Sequence, residues 1–387
     1  MNLSLSVLPY ICTQGLFIVL GIIGTKLLIT FHELGHFAFC KLFNISTPSF
    51  SIGLGPRIFT KKIGGTEFSI SLIPIGGYVE IAGNAEVGQG EQKFAHSDDK
   101  TSFNNKTFCQ KIIVMLGGII FNIIFACIVF SGAFFVGIKS PYQFFNSPLS
   151  PVIKVKDGAT SVLQTGDRIV SINGKAFDPS KFDPNFARTV RQQELAPEQH
   201  ETMTLEIMRK NEPLTVEVPM EFNTVDNTTK GIIPNVLFYR EDIPARPLFA
   251  SIKEGISFTG HIISMTVNFF FSIPAQIARG LGKNLIKQVA GPIGLISMLS
   301  AGASSGVMNF LIILSIISIN LAIINFVPLP VFDGGQILIC IIEDTCGRQL
   351  PLKIKEGIFI ATWVLLLFFM IFMSFMDIRT LITKSVS

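Results

Sequence analysis

Charge is scarce in this chain. Lys, Arg, Asp and Glu make up 15% of its 387 residues against 49% hydrophobic ones, and mean hydropathy is +0.53. That balance excludes a soluble globular protein of ordinary makeup. Long basic runs are missing too, and a net charge of +4 spread over this length gives no surface for nucleic acid. Six cysteines, Cys12, Cys40, Cys109, Cys127, Cys340 and Cys346, form no C-x-x-C pair and lie in or beside apolar stretches. Neither a disulfide framework nor a C-x-x-C metal site is implied. Residues 1–15 have no Lys or Arg, so the first apolar segment lacks the basic flank and the small-residue cleavage site of a signal peptide. It is expected to be retained. No internal repeat is evident.

What the chain does have is long apolar runs. A bilayer core needs about 20 apolar residues, and four stretches supply them: Leu16 to Phe43, Ile112 to Ile138, Val307 to Val331 continuing through Ile342, and Gly357 to Met376. The expected fold is a polytopic α-helical membrane protein with about four transmembrane helices. Lys41, Arg57, Lys61, Lys62, Lys106 and Lys111 flank the loop between the first two spans. The positive-inside rule puts that loop in the cytoplasm and the 139–306 region outside. Arg348, Lys353 and Lys355 agree with this orientation, and Arg379 and Lys384 in the tail oppose it.

Between the spans, local patterns change. Phe68, Ile70 and Leu72 alternate with polar residues between glycine turns, which predicts a short hairpin ending in Ile73-Pro-Ile-Gly-Gly-Tyr78. It is either membrane-associated beside the first span or a surface hairpin on the cytoplasmic face. Residues 82–105 read as a polar loop. The outer region contains Gly166-Asp-Arg-Ile-Val-Ser-Ile-Asn-Gly-Lys175 and two alternating runs at Met203–Ile207 and Leu214–Val218, so a small strand-rich domain is expected. The GDRIVSINGK string is similar to the signature of PDZ domains, which bind peptides by strand addition. Residues 246–290 carry Lys253, Arg279, Lys283, Lys287 and an interrupting Pro274, and read as an interfacial amphipathic helix. His261 within it has a plain packing or surface role.

The chemistry starts at His32-Glu-Leu-Gly-His36. On a helix, His32 and His36 lie one turn apart on one face and can bind one Zn²⁺, with Glu33 placed to handle a proton. Burying three such groups in an apolar span costs several kcal/mol unless something ligates them. A catalytic zinc site typically has three protein ligands. The candidate third is Asp333, in Asn325-Phe-Val-Pro-Leu-Pro-Val-Phe-Asp-Gly-Gly-Gln336, where two prolines interrupt an apolar span. Asp333 can equally cap the helix that follows, and the two roles are compatible. A metal so held lowers the pKa of water toward about 7, Glu33 acts as base, and Asn325 or Asn122 contacts the oxyanion or the substrate backbone. Both asparagines also read as interhelical contacts, and Gly117 and Gly118 as close helix packing. Lys26, seven residues before Glu33, either lines a hydrated cavity or snorkels outward.

Taken together, FHELGH at 31–36, IPIGGYV at 73–79, GGIIFN at 117–122, AGPIG at 290–294 and NFVPLPVFDGG at 325–335 resemble the bacterial site-2 proteases. These are RseP-type intramembrane zinc metalloproteases of the M50 peptidase family, and the motifs cover nearly the whole chain in order. The resemblance implies that His32, His36 and Asp333 bind zinc, that Glu33 is the base, and that Asn325 contacts substrate. It assigns the hairpin, with Gly76 and Gly77, to substrate presentation and the PDZ-like domain to substrate screening through a peptide ligand. The implied activity is regulated intramembrane proteolysis of single-span proteins, such as anti-sigma factors or signal-peptide remnants, in a bacterial inner membrane. The active site would face the cytoplasmic side and the PDZ-like domain the periplasm. Some relatives carry two PDZ domains, and this chain has room for one.

The resulting layout is a first span at 1–45, a cytoplasmic-side loop with the hairpin at 46–111, and a second span at 112–138. A PDZ-like domain at 139–225, an interfacial region at 226–306, a third span at 307–342 and a fourth with a tail at 343–387 complete it. The competing expectations are a membrane zinc carrier using the same ligands and an inactive PDZ scaffold.

Overall fold

The computed structural model describes residues 4–84, 99–138, 149–155, 162–164, 166–172, 174–176, 202–210, 212–219, 221–225, 228–232, 236–240, 242–280, 289–348 and 350–386. Residues 85–98 of the polar loop, Asn173, Lys283 and Lys287 lie outside these. Two compact units divide the chain: Met1–Ala133 with Pro247–Ser387, and Phe134–Arg246.

The first unit is helical. Its elements are α1 (Ser4–Leu42), the strands β1 (Ser49–Ile63) and β2 (Thr66–Glu80), and α2 (Phe108–Val136). After the second unit come α3 (Leu248–Ala278), α4 (Pro292–Ser304), α5 (Val307–Asn325), α6 (Asp333–Cys346) and α7 (Leu352–Val386). Among the described residues, five helices are long and apolar enough to cross a membrane, within α1, α2, α3, α5 and α7. That is one more than the sequence reading. The addition is α3, which runs for 31 residues straight through Pro274. A single proline near a helix end removes one backbone hydrogen bond, and an apolar helix continues past it.

Helix directions follow from which residues meet. A Cβ on Gly24 of α1 would touch Phe310 and Leu314 of α5, while Ser318, two turns further along α5, donates to the Asn122 carbonyl of α2 beside His32. Thus α1 and α5 run in the same direction, with α2 opposed to both. This parallel course carries the C-terminal end of α5 to the end of α1 that bears the histidines. Thr266 of α3 donates to Asn320 of α5, and Phe258 packs edge-on against Phe130 of α2. The backbones of α1 and α2 approach closely, and a Cβ on Gly35 would lie 2.1 Å from the Gly117 carbonyl oxygen. Only paired glycines let two helix backbones meet this closely.

The strands β1 and β2 form an antiparallel hairpin turned at Gly64-Gly65, but it folds back on itself. Ser49–Ile52 pairs with Glu67–Ile70 on one side and with Gly77–Glu80 on the other. Glycines with positive φ at Gly53, Gly55 and Gly76 permit the bends. Gly77–Glu80 is therefore an edge segment; no other strand among the described residues pairs with it. Phe37 of α1, Phe50 and Phe68 stack together at 5.5 to 5.6 Å between ring centroids. They belong to a core with Cys40, Ile45, Val79, Phe103 and Val114 that fixes the sheet to α1 and α2. The hairpin is thus held against the first helix rather than standing free.

The second unit is a small antiparallel β-structure: β3 (Leu149–Val155), β4 (Arg168–Ile172), β5 (Lys175–Ala176), β6 (Thr202–Arg209), β7 (Glu212–Pro219), β8 (Glu221–Val225), β9 (Thr228–Ile232) and β10 (Val236–Arg240). The main sheet has the order β10-β3-β4-β6-β7, with β5 on β4, and β8 pairs β9 separately. The sequence reading ends the PDZ-like domain at residue 225; the compact unit continues to Arg246. The reason is β10, which closes onto β3 over 80 residues away in sequence, a long-range pairing that local alternation does not reveal. Buried Asp167, before β4, accepts from Arg209 Nε at 2.8 Å and Nη2 at 2.6 Å and from the Gln164 N–H at 2.8 Å. Burial raises its carboxyl, but these donors win and hold it below the ordinary aspartate range.

Candidate metal centre

The centre is assembled on α1. His32 and His36 are buried, and their Nε2 atoms lie 3.2 Å apart. Asp333 reaches both: Oδ2 is 3.3 Å from His32 Nε2 and Oδ1 is 3.4 Å from His36 Nε2. These three side chains form the one group of potential metal ligands among the described residues.

The arrival of Asp333 depends on the sequence around it. Pro328 and Pro330 end α5 and leave a folded turn, in which Phe332 N–H donates to the Leu329 carbonyl and Gln336 Nε2 to the Pro330 carbonyl. A Cβ on Gly334 would lie 2.2 Å from the Phe326 carbonyl oxygen, and one on Gly335 would lie 2.1 Å from that of Leu329. The two glycines let α6 start directly against the turn. Phe332 occupies the N-cap position without a side-chain cap bond, and Asp333 follows in the first turn. Its carboxylate therefore points at the histidines and not at its own helix.

The donor set fits a zinc ion. Tetrahedral bonds of 2.0 to 2.1 Å place ligand atoms about 3.3 to 3.4 Å apart, which matches the 3.2, 3.3 and 3.4 Å separations. Asp333 Oδ2 is buried without a hydrogen-bond donor. A carboxylate oxygen in that state needs a cation. His36 Nδ1 lies 2.9 Å from the Val114 carbonyl, so it donates there and leaves Nε2 free as a ligand atom.

Other predicted residues take different places. Glu33, next to His32, receives a backbone hydrogen bond from Val79 in the hairpin edge. Gly77 lies in the same edge, and a Cβ there would sit 2.9 Å from the Ser51 carbonyl and 3.7 Å from Glu33 Cγ. Gly76 has φ +77° and turns the chain into that edge. Asn122 is fully buried, with Nδ2 placed 3.2 Å from His32 Nδ1. Asn325 is the buried last residue of α5. Lys26 is half-buried and forms no ion pair among the described residues. His261 is exposed, with its ring 6.3 Å from that of Phe258. From sequence, Gly118 reads as close helix packing. A Cβ on it would lie 2.4 Å from His32 Cε1 and 2.6 Å from His36 Nε2, so it abuts both rings. The spacing of Gly118 and Asn122, one helical turn, was the available signal; the Val114 carbonyl and Val79 N–H are backbone groups and carry none.

A family model described as Peptidase family M50 matches residues 20–369. The chain belongs to peptidase family M50. Similar proteins include one from Clostridium perfringens, 28% identical over 364 residues that span 94% of this chain and 98% of its own length. One from Synechocystis is 30% identical over 358 residues, covering 90% and 91%. One from Helicobacter pylori is 29% identical over 379 residues, covering 95% and 99%. All three bear the name "putative zinc metalloprotease". Membership in M50 and the set of long apolar helices together describe a multi-pass membrane metalloprotease whose metal is zinc.

Proposed function

We propose that this M50 peptidase is an intramembrane endopeptidase that hydrolyses peptide bonds in or near the transmembrane segments of single-span membrane proteins. The observation that carries this reading is the meeting of His32, His36 and Asp333 within a set of apolar helices, with Glu33 beside them. These three residues hold the ion and Glu33 serves as general base. Bound zinc supplies Lewis acidity, which acidifies water and polarises a carbonyl.

Glu33 takes a proton from the attacking water and passes it to the departing amine. Its position against Val79 brings this proton carrier beside the strand edge at Gly77–Glu80. A helical substrate hides its carbonyls in its own hydrogen bonds, so it must unwind before it can be cut. Pairing with this unpaired strand edge replaces the lost hydrogen bonds. Substrates with Gly, Pro or Asn in the membrane-spanning segment are then preferred. Asn325 stabilises the developing oxyanion or holds substrate backbone. The 134–246 unit acts as an extracytoplasmic, PDZ-like peptide-binding domain in a bacterial inner membrane; GDRIVSINGK, now at and around β4, supports this.

Glu33→Gln tests the assignment. The variant should retain zinc yet cut a single-span substrate at least about a thousandfold more slowly, in line with loss of an acid–base group. Unchanged cleavage would refute the protease reading, and zinc flux across vesicles without cleavage would point to a carrier.

A further inference from the structure

The stripe Val114, Gly118 and Asn122 runs along α2 at intervals of one turn and faces both histidines. Val114 supplies the carbonyl 2.9 Å from His36 Nδ1, and Gly118 leaves room for the two rings. Asn122 is the third member. Its Nδ2 lies 3.2 Å from His32 Nδ1, and its Oδ1 is buried without any hydrogen-bond partner.

That orientation of the amide conflicts with metal binding. If Nδ2 donates to Nδ1, then Nδ1 carries the lone pair and Nε2 carries the hydrogen. A protonated Nε2 cannot ligate. The oxygen and nitrogen of an amide exchange places by a half turn about its last torsion. Turned over, Oδ1 accepts from Nδ1–H and leaves the Nε2 lone pair facing Asp333 and His36. The unpartnered oxygen of the first orientation gains a donor.

We infer that Asn122 is a positioning residue whose Oδ1 accepts from His32 Nδ1–H and so selects the tautomer and ring angle with which His32 binds zinc. This rests on the metal-site reading above and alters the part expected for Asn122, from substrate contact to support of a ligand. Ser318 secures the same turn of α2 by donating to the Asn122 carbonyl at 3.0 Å. The Gly118 carbonyl also faces the His32 ring as an acceptor, and is the alternative group that could set the tautomer.

The test compares Asn122→Asp, which keeps an acceptor, with Asn122→Leu, which has a similar volume and none. Zinc affinity is measured by chelator competition on the full-length protein in detergent, with thermal unfolding followed in parallel. Asn122→Leu should bind zinc about 10- to 100-fold more weakly, while Asn122→Asp binds at least as tightly as the wild type. Wild-type affinity in Asn122→Leu would overturn the inference and leave Gly118 as the sufficient acceptor; a loss of cleavage alone would return Asn122 to the substrate. Should Asn122→Leu fail to fold, cobalt-substituted Asn122→Asp decides. Its visible absorption bands should shift because the ring of His32 is more strongly polarised, and unshifted bands would overturn the assignment. His32→Ala serves as reference: if it too keeps full zinc affinity, the metal-site reading itself has failed.

Discussion

At Gly118 a single hydrogen in place of a methyl group decides whether two imidazoles fit. A Cβ at that position would overlap ring atoms of both His32 and His36. Gly118→Ala should therefore push the rings apart and weaken zinc binding by about 10- to 100-fold, as loss of a ligand's support does. Gly132→Ala, on the same helix with nothing within 4 Å of its Cβ, is the control. It should leave zinc binding unchanged and stabilise α2 slightly through helix propensity. Chelator competition on both variants checks the pair. The histidines, Glu33 and Asp333 are legible in the sequence because their chemistry is in their side chains and buried ionisable groups in apolar segments need a partner. Gly118 is less so, since a glycine in a membrane helix has an ordinary packing role and its neighbours appear only when α1 and α2 meet. The acceptor for His36 is a main-chain carbonyl, invisible in any sequence.

In the proposed function, the β1–β2 hairpin is the element that connects the metal centre to substrate selection. Alternation and glycine turns foretold strands there, but not the folding back that makes Gly77–Glu80 an edge next to Glu33. That geometry is produced by the bends at Gly53, Gly55 and Gly76 and by the Phe37, Phe50 and Phe68 stack. Val79→Pro removes the N–H that serves Glu33 and disrupts the edge. Cleavage should fall while zinc content stays at the wild-type level, and rates for helix-rich and helix-weakened substrates should converge. Equal rates in variant and wild type would dismiss the edge. In the other unit, the depressed Asp167 carboxyl sets a pH dependence. Its ionised form contributes stability above the ordinary aspartate pKa, and this contribution is lost as pH falls through the lower folded-state value. Hydrogen exchange in β4 and β6, corrected for intrinsic rates, should reveal loosening as the solution is acidified below about pH 4. Arg209→Met should lower stability at neutral pH by about 1 to 3 kcal/mol by stranding a buried acceptor and should flatten that dependence.

Across the whole molecule, the parallel course of α1 and α5 is what completes the centre. Residues 32 and 333 are brought together because the second long apolar helix pointing the same way as α1 ends where the histidines lie. Hydropathy alone located the apolar runs and the broken span at Pro328 and Pro330; it did not separate a long amphipathic helix from a continuous apolar one at 248–278. Nor did it find the β10 pairing that extends the second unit. That pairing depends on contacts distant in sequence. The central claim is that the ligands of this buried centre cut chains inside the membrane. It is tested most directly by reconstituting the protein in lipid vesicles with a single-span substrate and mapping the cut by mass spectrometry. The account predicts a zinc-dependent cut within or at the border of the spanning segment, absent with Glu33→Gln. Cleavage confined to substrate loops outside the bilayer, or persisting at the wild-type rate in Glu33→Gln, would contradict it.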